Sequence, residues 1–174
     1  MKQAGVTLVE LLTVMAIGVI LLGIGMPGYA YLMNQSRLSG LTNELVAALN
    51  LARSEAVKRG VRVTVCKSGN AEAESPICDP DADWLHGWLV FVDRGVAGQL
   101  DQSDQLLRVQ QSHPTSQASI TPTNFSAYVS YLPSGVSQGP DHLPNGTFHI
   151  CLAGEKRKVV LNSTGRIRTE KGSC

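Results

Sequence analysis

Gly5-Val6-Thr7-Leu8-Val9-Glu10 opens an apolar run that continues from Leu11 to Leu22 and on through Met26, with Glu10 as its single charged residue. At 1.5 Å per residue, about 20 such residues span the roughly 30 Å hydrocarbon core of a bilayer, so the run predicts one membrane-crossing helix. A secretory signal would carry a longer basic region and a small-residue cleavage site after its apolar stretch. Here Met26-Pro27-Gly28 follows and the helical pattern goes on, so the segment is expected to remain in the mature chain. Lys2 precedes the span, and the positive-inside tendency then places the N-terminus in the cytoplasm and everything after Arg37 outside.

Glu10 needs a reason, because a carboxylate entering a bilayer costs on the order of 2 to 3 kcal/mol even on insertion scales. Thr7-Leu8-Val9-Glu10 has the form of a capping box, and an anion in the first turn suits the helix dipole. A second account comes from the whole stretch Gly5 to Glu10, which resembles the prepilin processing motif. That resemblance implies a leader of residues 1–5, cut after Gly5 by a prepilin peptidase. Val6 then becomes the methylated first residue, although the family usually has phenylalanine there, and Glu10 pairs with the amine of a neighbouring subunit. A charge buried in a filament would thereby gain a partner. Pro27-Gly28 is expected to interrupt the helix, as proline removes a backbone donor and clashes with the preceding turn. Its position also resembles pilins, and an ordinary kink at the membrane exit explains it equally well.

Beyond the span, Leu38, Leu41, Leu45, Ala48, Ala52 and Ala56 recur at 3-4 spacing, which predicts an amphipathic helix ending near Gly60. Arg53, Glu55, Lys58 and Arg59 fall towards its wet side. After Gly60 the period becomes two. Val61 to Cys66, Trp88 to Val92, Leu106 to Gln110, Tyr128 to Leu132, Thr147 to Leu152 and Lys158 to Leu161 read as strands, with a further one after Gly165. The expected organisation is therefore α+β: a membrane helix over 6–26, an amphipathic helix over 27–59, and a mainly antiparallel β-rich head over 60–174. One long kinked helix would carry that head.

With 174 residues, 43% hydrophobic, the chain can bury one core beside its apolar segment, and a net charge of +1 leaves polyanion binding to a local patch. Such a patch exists in the sequence. Gly154 to Cys174 holds Lys156, Arg157, Lys158, Arg166, Arg168 and Lys171 against Glu155 and Glu170, a net +4, which leaves −3 for the remainder. Arg166 and Arg168, two apart on a strand, project to one face, with Gly165 allowing a tight turn before them. Planar guanidinium donors suit phosphate oxygens.

Four cysteines, Cys66, Cys78, Cys151 and Cys174, permit three disulfide pairings, with four reduced thiols as the alternative. Cys66 with Cys78 and Cys151 with Cys174 is favoured, since each bridge would staple a polar loop or a chain end to neighbouring strands in an oxidising compartment. His86, His113, His142 and His149 are scattered, without metal-ligand spacing or a nucleophile partner, so no enzyme, cofactor or metal is expected. Asp79 to Asp83 imitates the opening of a calcium loop, but Trp84 stands where glycine is needed and Val90 where glutamate is, so a solvated loop is expected.

Ala52-Arg53-Ser54-Glu55-Ala56-Val57, Gly87 to Asp93 and Gly165-Arg166-Ile167-Arg168 together resemble the FimT/GspH family of type IV minor pilins and pseudopilins. The last motif is similar to the GRxR motif of FimT proteins, which bind DNA during natural transformation. What the resemblance implies is a type IV pilin-like fold, inserted in the bacterial inner membrane with its head in the periplasm. From there the subunit enters a pilus or pseudopilus, with other major and minor pilins as partners. Double-stranded DNA would be bound at Gly165, Arg166, Arg168 and Lys171. Two other readings stay open: a pilus-assembly or type II secretion subunit without DNA binding, and an ordinary single-span anchored domain.

Overall fold

The computed structural model describes residues 7–111 and 118–174, with backbone alone over 24–27. Gly5, Val6 and His113 lie outside the described residues. A single helix, α1 (Leu8–Arg59), occupies the first third of the chain. It passes through Pro27 and Gly28 without a break in the element, so the interruption expected there does not end the helix. Thr7 Oγ1 accepts from the Glu10 backbone N–H at 3.3 Å, which is the hydroxyl half of the capping box.

The chain divides into two compact units, one up to Arg37 and one from Leu38 to Cys174. In the first, the large apolar side chains from Leu8 to Leu22 are exposed to solvent, and by length and composition the helix can cross a membrane. In the second, Leu38, Leu41, Leu45, Ala48, Ala52 and Ala56 are all buried, as their spacing predicts, and Leu49 joins them.

That helical face packs with the inner faces of two antiparallel sheets in one core. The five-stranded sheet has the order β3-β2-β1-β5-β6, built from β1 (Val63–Lys67), β2 (Trp88–Val92), β3 (Gln105–Gln110), β5 (Tyr128–Tyr131) and β6 (Ser137–Gln138). The four-stranded sheet has the order β4-β7-β8-β9, from β4 (Ala118–Thr123), β7 (Gly146–Leu152), β8 (Glu155–Leu161) and β9 (Ile167–Ser173). Alternation decides the faces. Val63, Val65, Val90 and Val129 of the first sheet and Phe148, Ile150, Val159 and Leu161 of the second meet the helix in the shared core. Trp84 adds an edge-on contact with Phe148 at 5.0 Å between ring centres.

Two strands escape the sequence reading. β4 holds a proline, Pro122, and only one large apolar residue, Ile120; it is an edge strand, where a missing backbone donor is tolerated. β6 is two residues long.

Both disulfides have the favoured pairing, Cys66 with Cys78 and Cys151 with Cys174. The first ties the acidic loop after β1 to that strand. Within this loop Asp79 accepts from the Asp81 N–H, and Asp83 caps the 3-10 turn Trp84–His86 by accepting from the Leu85 N–H at 2.9 Å. Those carboxylates are spent on local turns.

Among the described residues one carboxylate, that of Asp93, is fully enclosed. The Asp93 side chain accepts from Arg62 at 2.6 Å, from the Thr64 hydroxyl at 2.6 Å and from the Gly98 N–H at 3.0 Å, which closes the end of β2 onto β1. Arg62 is the only cation among these donors and is partly exposed, whereas the Asp93 side chain is wholly buried. Removing the cation leaves a buried carboxylate without its counter-charge. Arg62→Met is expected to lower stability by about 2 kcal/mol in chemical denaturation, a discounted value because water reaches the arginine.

Candidate functional site

The β8–β9 connection is a turn over Asn162 to Gly165. The Gly165 N–H donates to the Asn162 carbonyl at 2.9 Å, and Asn162 Oδ1 accepts from the backbone N–H groups of Thr164 at 3.1 Å and Arg166 at 2.8 Å. An asparagine that bonds the backbone ahead of it in this way fixes a turn without help from elsewhere. Gly165 has φ +74, and a Cβ on it would collide with the carbonyl oxygen of Gly135. Glycine is required on both counts. The arginine pair is thus presented by a turn pressed against a second turn, Leu132 to Gly135.

Arg53 of α1 joins the two turns. It donates through Nε to the Gly135 carbonyl at 3.1 Å and through a terminal nitrogen to the Thr164 carbonyl at 3.0 Å. Its placement on the wet side of the helix is corrected by these bonds: the guanidinium is half-buried and reaches over to the head. Helical spacing shows where a side chain starts and not how far its end travels. Tyr131 lies beneath, close to Gly165; burial raises its hydroxyl pKa, with Arg53 pulling the other way.

Arg166 and Arg168 are both exposed and of the same parity, as expected. Arg168 is not idle: its Nε donates to Glu170 at 3.1 Å, one step along the same face. Lys171 falls on the other face of β9, opposite Arg157 in register, so the structure separates it from the arginine pair. Two residues outside the expected set take its place. Register sets Val160 opposite Arg168, Lys158 opposite Glu170 and Lys156 opposite Gly172, so Lys156 and Lys158 share the outer face with Arg168. The signal was present in the sequence as matching parity across a hairpin, but only the register reveals it.

On β7 the residue beside Lys158 is His149. Its pKa is lowered by burial first and then by Lys156 and Lys158. The Cys151–Cys174 bridge ties Cys174, just beyond β9, to β7, and the Cys174 N–H donates to the Gly154 carbonyl at 3.2 Å, so the far end of this basic edge strand is secured.

A long N-terminal helix whose second half is buried beneath antiparallel sheets, with an apolar first half and an acid in its first turn, defines a pilin-type subunit. Residues 41–165 match the family model described as Type II transport protein GspH, and the chain belongs to that family. Residues 1–26 match the prokaryotic N-terminal methylation motif. The fold is similar to that of the Pseudomonas aeruginosa type IV minor pilin FimU in two crystal forms. In the first, the TM-score is 0.58 at 21% identity, covering 78% of this chain and 90% of FimU. In the second it is 0.55 at 20% identity, covering 76% and 91%. Among curated proteins none matches. The family match ends at Gly165, one residue before the arginine pair.

Arg53→Met is expected to cost about 2 kcal/mol, because two carbonyls lose a charged donor. Arg53→Lys should recover less than half of it, since an ammonium cannot serve both carbonyls with a planar fork. Denaturation of the three proteins checks both.

Proposed function

We propose that this chain is a minor pilin that captures extracellular double-stranded DNA through Arg166 and Arg168 for uptake in natural transformation. On this reading the leader of residues 1–5 is removed by a prepilin peptidase, and the first unit of the chain anchors it in the inner membrane. The head faces the periplasm until the subunit enters the filament beside other pilins.

The observation that carries the DNA reading is the placement of both guanidiniums, exposed and on one parity, at the edge of a sheet whose hairpin concentrates the positive charge of an otherwise acidic chain. Backbone contacts of this kind bind duplex without reading sequence, and counterion release makes them salt-dependent. The pair Arg168–Glu170 favours a second reading, an assembly or type II secretion subunit in which these arginines make protein contacts.

Duplex binding separates the two. Arg166→Gln/Arg168→Gln, with an unchanged melting profile, should bind at least about tenfold more weakly at low salt, and the slope of log affinity against log salt should fall by about 2. Equal binding by both proteins would sink the DNA reading and leave the assembly one. Filament incorporation is tested separately. Glu10→Ala should leave membrane insertion intact and abolish recovery of the subunit in sheared filaments, while mass spectrometry of the wild-type N-terminus should read Val6 with one added methyl group.

A further inference from the structure

Lys156 and Lys158 sit two apart on β8, and the pairing of β8 with β9 puts Gly172 directly across from Lys156. Were Gly172 to carry a Cβ, Lys156 Cδ would lie 3.7 Å from it and Lys158 Cε 3.9 Å. Both aliphatic stems therefore lean over the one residue of β9 that has no side chain, which sets two cationic side chains beside each other on that face. Like charges in such neighbouring positions oppose folding. The acid best placed to relieve them, Glu170 opposite Lys158, is bonded to Arg168 instead, and among the described residues neither lysine has an ion-pair partner. Burial and these same lysines hold the neighbouring His149 towards its neutral form, so no third charge adds to the repulsion at neutral pH. An anion bridging the two lysines would relieve it.

We propose that Lys156 and Lys158 form a second phosphate-contact row on the outer face of the four-stranded sheet, so that the DNA backbone lies along the β8–β9 hairpin instead of touching only its turn. This rests on the DNA reading above and extends it from one pair of cations to two. The face is built for a polyanion. Arg168 continues the row towards the turn, and Thr121 and Thr147 flank His149 on β4 and β7 with neutral side chains.

His149 provides a readout inside the row. It faces Lys158 from β8, with Lys156 diagonal to it, and no acidic residue stands beside it on β4 or β7. A phosphate seated on the lysines cancels their field, so the midpoint of the His149 titration moves up when DNA binds.

The test uses the full chain in detergent micelles with a short duplex of mixed sequence, between about 50 and 200 mM salt. Lys156→Gln/Lys158→Gln is expected to lower the salt slope by about 2, as Arg166→Gln/Arg168→Gln does, and the quadruple variant to lose nearly the whole slope. NMR of the His149 ring should show its midpoint raised by saturating duplex in the wild type. An unchanged salt slope in the lysine variant, or a His149 midpoint unmoved while duplex is bound, overturns the second row and leaves the arginine pair standing. Absence of any wild-type binding overturns both. Should the lysine variant fail to fold, the His149 shift in the wild type decides.

Discussion

Ala48, Ala52 and Ala56 of α1 have no solvent exposure, and nor do Leu45 and Leu49 beside them. Side chains that end at Cβ let two sheets approach a helix closely, and the leucines then fill the space between the alanine steps at close to crystalline density. This buried seam is the constraint on the rest of the second unit. Both sheets direct their apolar alternation towards it, so a one-residue slip in either would turn its valines outward and its lysines inward. The outer face of the five-stranded sheet is covered by a second apolar cluster of Cys66, Ala71, Leu89 and Phe91, while that of the four-stranded sheet is left to charge. On the four-stranded sheet that charge is basic.

Polar anchoring completes what the seam begins. Arg53 lies one residue after a buried alanine, so its Cα is fixed by the core while its guanidinium extends to the carbonyls of Gly135 and Thr164. The turn that carries Arg166 is thereby referred to the helix and not only to its own hairpin. Gly165 makes this possible by allowing the two turns to touch, and Asn162 satisfies the N–H groups that a tight turn leaves over. At the other end of β9 the Cys151–Cys174 bridge does comparable work, holding an edge strand that has a hydrogen-bonded neighbour on one side alone.

Much of this was legible in sequence, and the limit falls where side-chain reach and register begin. The seam was readable because period 3.6 survives any tertiary context, and β1, β2, β5 and β7 because their alternation is dense in valine, aromatic residues and isoleucine. β4 was not, because Thr, Ser and Pro122 read as loop until a partner strand supplies its hydrogen bonds. The arginine pair followed from parity within one strand. Lys156 and Lys158 needed parity between two strands, which depends on the length of the turn joining them, and Lys171, near the arginines in sequence, is sent to the other face by its odd spacing.

On the proposed DNA reading, the contact between Arg168 and Glu170 bears on how such a surface would hold a polyanion and yet remain tolerable without one. An exposed pair of this kind is worth about 0 to 1 kcal/mol, since both partners stay hydrated and salt screens them. A phosphate diester arriving with its counterions displaced offers Arg168 a bidentate partner and an entropic gain that Glu170 cannot match. On the proposed DNA reading Glu170 would therefore moderate the free surface without sequestering it, offsetting the charge of Arg168 when no ligand is present and yielding when one is. The same carboxylate would then set a threshold, because an isolated anion would gain too little to displace it, whereas a chain of phosphates would engage several cations at once. On that proposal, selectivity for a polymer over a free ion would follow from the arrangement of the hairpin, with no base-specific contact required.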